Sequence, residues 1–337
     1  MPHTATLVFR DGHTATIEVR DKELLMDAAR RHGVNLPVDC REGVCATCRG
    51  ICETGKFTLD YVDSDALTKA ELAKGHILAC QTRLQSDGVY SFDVDSKVCK
   101  MAVGKFQGTV TAIEKVSEAA ATLTLALSPS DKPLRYMAGQ YARLNIPNTD
   151  QWRAYSFANA SADTGSLRFL IRLLPSGVMS DYVRERCKVG DVIQMEAPMG
   201  VFYLRKIERP LVMIAGGTGL SAFLAMLESL TQQTDLNQAI RLYYGVNQEA
   251  DLSELQRLDA FKTQLADFDY KTVIMRPSES WQGNKGVVTD ILDLDFLQQA
   301  FDAYLCGPPA MIEASRAWLD SHKVAEHHFY FEKFISS

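Results

Sequence analysis

Eight cysteines occur in the chain, and four of them (Cys40, Cys45, Cys48 and Cys52) fall within thirteen residues. A thiol cluster in a chain without a secretory signal reads as metal-binding before disulfide. The sharper pattern is Cys40-x4-Cys45-x2-Cys48 with Cys80 thirty-two residues later. Such spacing lets one tight loop converge three sulfurs while a distant strand supplies the fourth, the arrangement that holds a [2Fe–2S] cluster. Gly43 and Gly50 give that loop its backbone freedom. Structural zinc is the competing reading, but it more often uses paired C-x2-C units. Cys52 is near in sequence, yet the fourth ligand of this spacing class comes from far downstream. Cys52, Cys99 and Cys187 read as ordinary thiols.

Three further constellations carry chemistry. Arg153-Ala-Tyr155-Ser156 offers a guanidinium for a phosphate, a flat ring for a flavin, and a hydroxyl for a ring nitrogen. Some twenty residues on, Gly177-Val178-Met179-Ser180 opens a helix pattern, and a helix start after glycine can take a pyrophosphate. Gly216-Gly217-Thr218-Gly219 stands between an apolar strand and a helix, where backbone N–H groups can meet a dinucleotide phosphate. Cys306-Gly307-Pro308 ends another such strand, at the edge where ligands of open α/β sheets bind. The blander alternatives are a plain capping serine, tight strand–helix packing and a core cysteine.

Positioning these groups requires three kinds of element. TATLVFR and TATIEV read as strands around the turn Asp11-Gly12, and KELLMDAARRH as a helix capped by Asp21 and stopped by Gly33. Between 103 and 205 come short β runs: FQGTVTAI, ATLTLAL, GQYARLNIP, RAYSFAN, LRFLIRLL and DVIQMEAP. They suggest an antiparallel barrel or sandwich, with one helix around Met179 to Arg186. Beyond 208, strand and helix alternate, as in RPLVMIAGG then LSAFLAMLESL, or YKTVIMR then ILDLDFLQQAF. That rhythm predicts a parallel, doubly wound sheet, and HHFYFEKF supplies a last strand.

Bulk composition excludes other classes. The 337 residues exceed one small core, and 46% hydrophobic with 23% charged content is ordinary for a globular chain. A net charge of −6 with scattered Lys and Arg lacks a nucleic-acid footprint. The absence of an 18-residue apolar run or a leader-like N-terminus leads to an expectation of a cytoplasmic protein with no membrane partner.

Taken together, these motifs resemble a known layout along nearly the whole chain. DCREGVCATCRGICETG with HILAC is similar to the plant-type ferredoxin module, RAYS with GVMS to the flavin barrel, and AGGTGLSA with CGPPAM to the NAD domain of the ferredoxin–NADP⁺ reductase superfamily. The ferredoxin-first order resembles reductases of aromatic-ring dioxygenases and of soluble di-iron monooxygenases. The Cys40 to Gly55 run, RAYSFAN and FYFEKF look closest to the benzoate, toluate and anthranilate 1,2-dioxygenase reductases.

The resemblance implies a multidomain fold. An α+β β-grasp ferredoxin domain would span 1–98, an antiparallel β-barrel flavin domain 103–206, and an α/β parallel-sheet NAD domain 207–337. It makes Cys40, Cys45, Cys48 and Cys80 the iron ligands. Arg153, Tyr155, Ser156 and the segment Gly177, Val178, Met179, Ser180 would hold FAD. Gly216, Gly217, Thr218, Gly219, Gly307 and Pro308 would take NADH. Cys306, Glu332 and Ser156 would assist hydride transfer, with Phe334 the tail aromatic beside the flavin. The implied activity moves electrons from NADH through FAD and [2Fe–2S] to a terminal oxygenase, a Rieske-type dioxygenase of benzoate or anthranilate type. Alternatives are the reductase of a phenol or toluene monooxygenase, and a non-catalytic redox carrier or sensor.

Overall fold

A computed structural model describes residues 1–334 apart from 39, 65, 131–132 and 162–164. The chain divides into two compact units, Met1–Gly104 with Pro198–Val201, and Lys105–Ala197 with Phe202–Ser337.

In the first unit, β1 (His3–Phe9) and β2 (Thr14–Val19) form an antiparallel hairpin through the Asp11-Gly12 turn. Helix α1 (Leu25–Arg31) follows, then β3 (Arg49–Thr54), β4 (Phe57–Leu59), α2 (Lys69–Ala73), β5 (His76–Leu78), β6 (Thr82–Leu84), β7 (Gly88–Phe92) and α3 (Ser96–Cys99). The main sheet is mixed, in the order β2-β1-β7-β3-β5, with β1 and β7 parallel. This is the expected β-grasp. Strand β1 alternates buried and partly exposed positions, so one face covers the core, and α1 buries Leu25, Met26, Ala28 and Ala29 against it. The expected cap is corrected: α1 starts at Leu25, after an extended Leu24 with no side-chain cap, so Asp21 plays no part. Instead Glu23 accepts the Arg20 N–H and pairs with Arg31 at 2.7 Å, which holds the turn entering the helix. Gly33, at φ +79°, ends the helix as expected.

The second unit contains two domains. The first comprises β8 (Gly104–Ser117), β9 (Ala120–Leu127), β10 (Tyr141–Asn145), β11 (Trp152–Ser156), β12 (Ser166–Arg172), α4 (Val178–Asp181) and β13 (Val192–Met199). Its six strands run β11-β10-β13-β8-β9-β12, and a bridge between Phe157 and Phe169 joins the two ends. The sheet therefore closes into a barrel around Leu123, Leu125, Leu144, Phe157, Phe169 and Ile193.

The last domain alternates β14 (Leu211–Gly216), α5 (Leu220–Thr231), β15 (Ile240–Val246), α6 (Leu255–Gln264), β16 (Phe268–Ile274), β17 (Asn284–Lys285), β18 (Phe301–Gly307), α7 (Pro309–Ser321) and β19 (His327–Lys333). All its strands are parallel, in the order β17-β16-β15-β14-β18-β19. Every residue of β14 and of β18 is buried, as expected for central strands covered on both faces. The helix expected over ILDLDFLQQAF is instead two single 3₁₀ turns, Val288–Ile291 and Phe296–Gln298. Asp290 accepts the Val287 N–H and Asp293 the Phe296 N–H, so these side chains satisfy the backbone locally and compete with a continuous helix.

Candidate functional site

The cysteine loop is built to offer sulfur. Cys40 and Cys45 hydrogen-bond each other, as do Cys48 and Cys80, and the field of Cys45 reaches Cys48. As placed, the four thiols stand as two pairs, and among the described residues no group of three His, Cys, Asp or Glu side chains surrounds a metal position. Backbone N–H groups nevertheless converge on the sulfurs. Glu42 donates to Cys40 Sγ at 3.3 Å. Val44 and Cys45 also donate to Cys40, Thr47 to Cys45, and Gly43 to Cys80. Burial pushes the Cys40 thiol up, but the Cys45 partner and these N–H groups outweigh it and leave Cys40 below the usual thiol range. The hydrogen bond from Cys48 lowers Cys80 to about 6 against its burial, and raises Cys48 correspondingly. Gly43 is required sterically as well as by its φ of +80°. A Cβ there would lie 2.5 Å from the Tyr61 carbonyl oxygen.

Gln81 is the residue that sequence reasoning missed in this loop. Its side chain accepts the Tyr61 N–H at 3.2 Å and donates to the Arg41 carbonyl at 3.0 Å and to Cys80 Sγ at 3.6 Å. One amide thus ties the two cysteine-bearing segments together, and its only sequence signal is adjacency to Cys80. Cys52 bonds the Thr54 carbonyl at 3.3 Å instead of joining the four.

On the barrel, β11 carries Arg153 and Tyr155 on one face and Ser156 on the other. Arg153 donates to the Trp152 carbonyl and the Gln151 amide oxygen, both neutral, and among the described residues it pairs with no carboxylate. The Tyr155 hydroxyl is raised above the ordinary phenol range by burial. At the following turn, Val178 and Met179 pack into the barrel core. The Ser180 hydroxyl donates to the Arg172 carbonyl and accepts from Leu174 N–H, each at 3.0 Å. Gly177 N–H donates to Asp181 Oδ2 at 3.3 Å, so what this turn can present to a ligand is the backbone of Val178 to Ser180.

In the nucleotide domain, the turn after β14 and the turn after β18 lie against one another. A Cβ on Gly219 would collide with the Cys306 carbonyl oxygen, and one on Gly216 would lie 2.7 Å from Pro308 and Met311. A cavity of about 310 Å³ opens beside them, lined by Gly216, Gly217, Thr218, Pro308 and Met311. Asn247 and Asp251 after β15 also line it, as do Ala119, Ala120 and Arg172 of the barrel. Arg172 escaped the sequence reading: it sits in an ordinary β run, and only the packing of the two domains brings it over the glycine turn. Glu249, two residues before Asp251, accepts from Ser278 N–H at 2.9 Å and Oγ at 2.6 Å and does not line the cavity.

A second cluster gathers residues from three strands. Cys306 of β18 is level with Glu332 of β19, and Ser156 Oγ of β11 donates to Glu332 Oε2 at 3.4 Å. Cys306 is fully buried, and burial, reinforced by Glu332, pushes its thiol well above the ordinary range. The tail aromatics separate by strand alternation. Phe329 and Phe331 flank the Arg316 guanidinium at 4.6 and 5.0 Å, whereas Phe334 packs on the Cys306 side and its N–H bonds the Gly307 carbonyl at 2.9 Å.

Comparison with known proteins matches this architecture. A 2Fe-2S iron-sulfur cluster binding domain fits residues 8–85, an oxidoreductase FAD-binding domain 107–203 and an oxidoreductase NAD-binding domain 213–317. The anthranilate 1,2-dioxygenase electron transfer component of Acinetobacter baylyi is 53% identical, covering 100% of this chain and 98% of the relative. The toluate 1,2-dioxygenase electron transfer component of Pseudomonas putida is 39% identical over the full length of both. The chain belongs to the electron transfer components of aromatic-ring dioxygenases. Among solved structures, the Amycolatopsis cytochrome P450 reductase GcoB matches with a TM-score of 0.72 at 25% identity, over 98% of this chain and 99% of that one. As a member of this family the chain is an oxidoreductase that uses [2Fe–2S], FAD and NADH.

The residues present fit those groups. Four thiols with N–H donors aimed at sulfur suit a cluster, whose potential such bonds tune. The Arg153 guanidinium, which meets no carboxylate among the described residues, suits a flavin phosphate, and the glycine-walled cavity at the ends of parallel strands suits a dinucleotide. Among the described residues no helix is long and apolar enough to cross a membrane.

Proposed function

We propose that this chain is an NADH-dependent reductase that supplies single electrons to a Rieske-type terminal oxygenase of the benzoate or anthranilate class, in the cytoplasm. A reducing compartment suits a chain whose eight cysteines are all free. Its functional domains are 1–98 for the cluster, 103–206 for FAD and 207–337 for NADH, the last three residues lying outside those described. When bound, FAD turns the two-electron hydride of NADH into single electrons, and the cluster carries them singly.

The chain's own residues do the positioning. Cys40, Cys45, Cys48 and Cys80 hold the iron. Arg153 and the backbone of Val178 to Ser180 would hold the flavin phosphates, and Tyr155 and Ser156 would contact its ring system. Gly216 to Gly219 with Gly307 and Pro308 seat the dinucleotide, and Arg172 adds a cation over the same turn. Cys306 and Glu332 orient the nicotinamide and stabilise positive charge that develops on it, and Phe334 shields the flavin. A buried thiol held protonated is suited to packing against a ring and not to covalent attack.

The observation that carries this reading is the meeting of Ser156, Cys306 and Glu332 from β11, β18 and β19 within one unit. An anaerobic stopped-flow titration with NADH tests it. Flavin and cluster absorbance should both fall, and cytochrome c should be reduced in steady state. Unchanged absorbance in FAD- and cluster-loaded protein would overturn it.

A further inference from the structure

The barrel and the nucleotide domain share a polar seam that the electron-transfer chemistry does not itself require. Helix α5 presents Ser221 and Glu228, seven positions apart and so on one face. Ser221 Oγ donates to the Ser156 carbonyl at 2.8 Å, and Glu228 Oε1 accepts the Ala160 N–H at 3.3 Å. The helix therefore grips both ends of the barrel segment that begins at the flavin-facing serine. Beside it, Thr122 of β9 donates to Glu254 Oε1 at 2.7 Å. Glu254 holds a left-handed backbone (φ +58°), unfavourable for a non-glycine residue and retained only where the surroundings demand it. Arg257, in the first turn of α6, pairs with Glu228 while its side chain is only 15% exposed. Arg168 of β12 lies close enough for its charge to act on Arg257. Two arginines and two glutamates thus meet, neutral as a group, in a partly desolvated seam.

Location gives the seam a consequence. Strands β9 and β12 pair with Ala120 opposite Arg172 and Thr122 opposite Leu170. Ala120 and Arg172 form the barrel's wall of the nucleotide cavity, whose other wall is the glycine turn and the end of β15. The strands that bear the seam residues thus also bear the cavity wall, so the seam sets the distance between the two walls.

We infer that Thr122, Glu228, Glu254 and Arg257 form a clasp that fixes the nucleotide domain on the flavin barrel, and that they are positioning residues for hydride delivery. The inference rests on the proposal that NADH reduces FAD between these domains. Misplacement of about 1 Å can cost as much as 10²-fold in rate. Loosening the clasp should therefore slow the limiting rate about tenfold while NADH still binds to its own domain.

The test uses full-length holoprotein carrying Glu228→Ala, Glu228→Gln or Thr122→Val, with stopped-flow flavin reduction across NADH concentrations and amide hydrogen exchange. For Glu228→Ala, the expected result is a limiting rate about tenfold lower, an NADH Kd within about threefold of wild type, full FAD content, and faster exchange at Ala160. Glu228→Gln keeps an oxygen for the Ala160 N–H and should restore that protection, whereas the rate, which also needs the charge pair with Arg257, should recover only in part. Thr122→Val, which alters no contact of Ala160, should lower the limiting rate without changing Ala160 exchange. Faster Ala160 exchange with an unchanged limiting rate would overturn the inference, and so would rate losses that only track lost FAD. Failure of NADH to reduce the wild-type protein would instead refute the parent reading, and Ala160 exchange would still report whether the clasp closes.

Discussion

Gly219 and Gly217 are neighbours in one turn, yet they need to be glycine for opposite reasons. Gly219 has an ordinary helical backbone (φ −58°), so its requirement is space: a Cβ would drive into the Cys306 carbonyl. Gly217 has φ +53°, and the nearest atom to an added Cβ is an Arg172 nitrogen at 4.0 Å, so its requirement is conformation. Relieving the clash in Gly219→Ala must part the turns after β14 and β18 by something near 1 Å. Overpacking of that kind costs about 1–3 kcal/mol, or roughly 2–10 °C in Tm for a unit of this size. The same displacement moves the cavity wall relative to the Cys306 and Glu332 cluster, which should cost about 10–10² in the rate of flavin reduction. Gly217→Ala carries a left-handed penalty of about 1–2 kcal/mol with nothing displaced, so its rate should fall less than about tenfold. Stopped-flow reduction by NADH, FAD content from absorbance, and thermal unfolding on both variants decide the matter. A Gly219→Ala protein that reduces and melts like wild type, or a Gly217→Ala protein that is the slower of the two, would refute the steric reasoning.

Other perturbations follow from the same geometry. Cys306→Ala and Glu332→Gln should each slow flavin reduction, by up to ~2–4 kcal/mol or roughly 10²–10³, with FAD and cluster spectra intact. Unchanged rates in both would remove the pair from the active site. NADH should be preferred to NADPH by roughly tenfold or more, because Asp251 lines the cavity where a 2′-phosphate would want a cation and no Lys or Arg occurs from Leu242 to Gln256. Comparable kcat/KM values for the two cofactors would contradict this. Delivery to an oxygenase should weaken less than tenfold from low to moderate salt. Residues 1–98 hold 12 Lys and Arg against 15 Asp and Glu, and several pair internally, as Arg41 does with Asp27 and Arg83 with Asp60. A steeper loss would reveal a concentrated charged face.

Much of the chemistry was legible because it is local. The glycine run after an apolar strand encodes a short-range geometric requirement and the structure builds the turn it calls for, whereas Cys80 lies thirty-two residues beyond Cys48 and the four thiols stand as two pairs. What escaped depends on packing between distant segments. Gln81 and Arg172 look like any polar residue at a strand end until their neighbours arrive, and the Thr122–Glu254 and Glu228–Ala160 contacts link residues 132 and 68 positions apart. The side chains of Val178, Met179 and Ser180 are committed to the barrel interior, which the helix-start motif, resting on backbone, does not report. The missed cap at Asp21 and the absent helix at 291–301 share one cause: nearby carboxylates satisfied the backbone in turns, a choice that apolar periodicity does not report.

The route from NADH through FAD to the cluster is tested most directly by Cys45→Ser, assayed with two acceptors. The cysteine loop and the flavin barrel belong to different compact units, so losing one iron ligand should leave FAD bound and reducible. The expected variant lacks [2Fe–2S] absorption and cytochrome c reduction but keeps NADH:ferricyanide activity near the wild-type level. A folded, FAD-loaded variant that lost both activities, or one that lacked the cluster yet still reduced cytochrome c, would contradict the route.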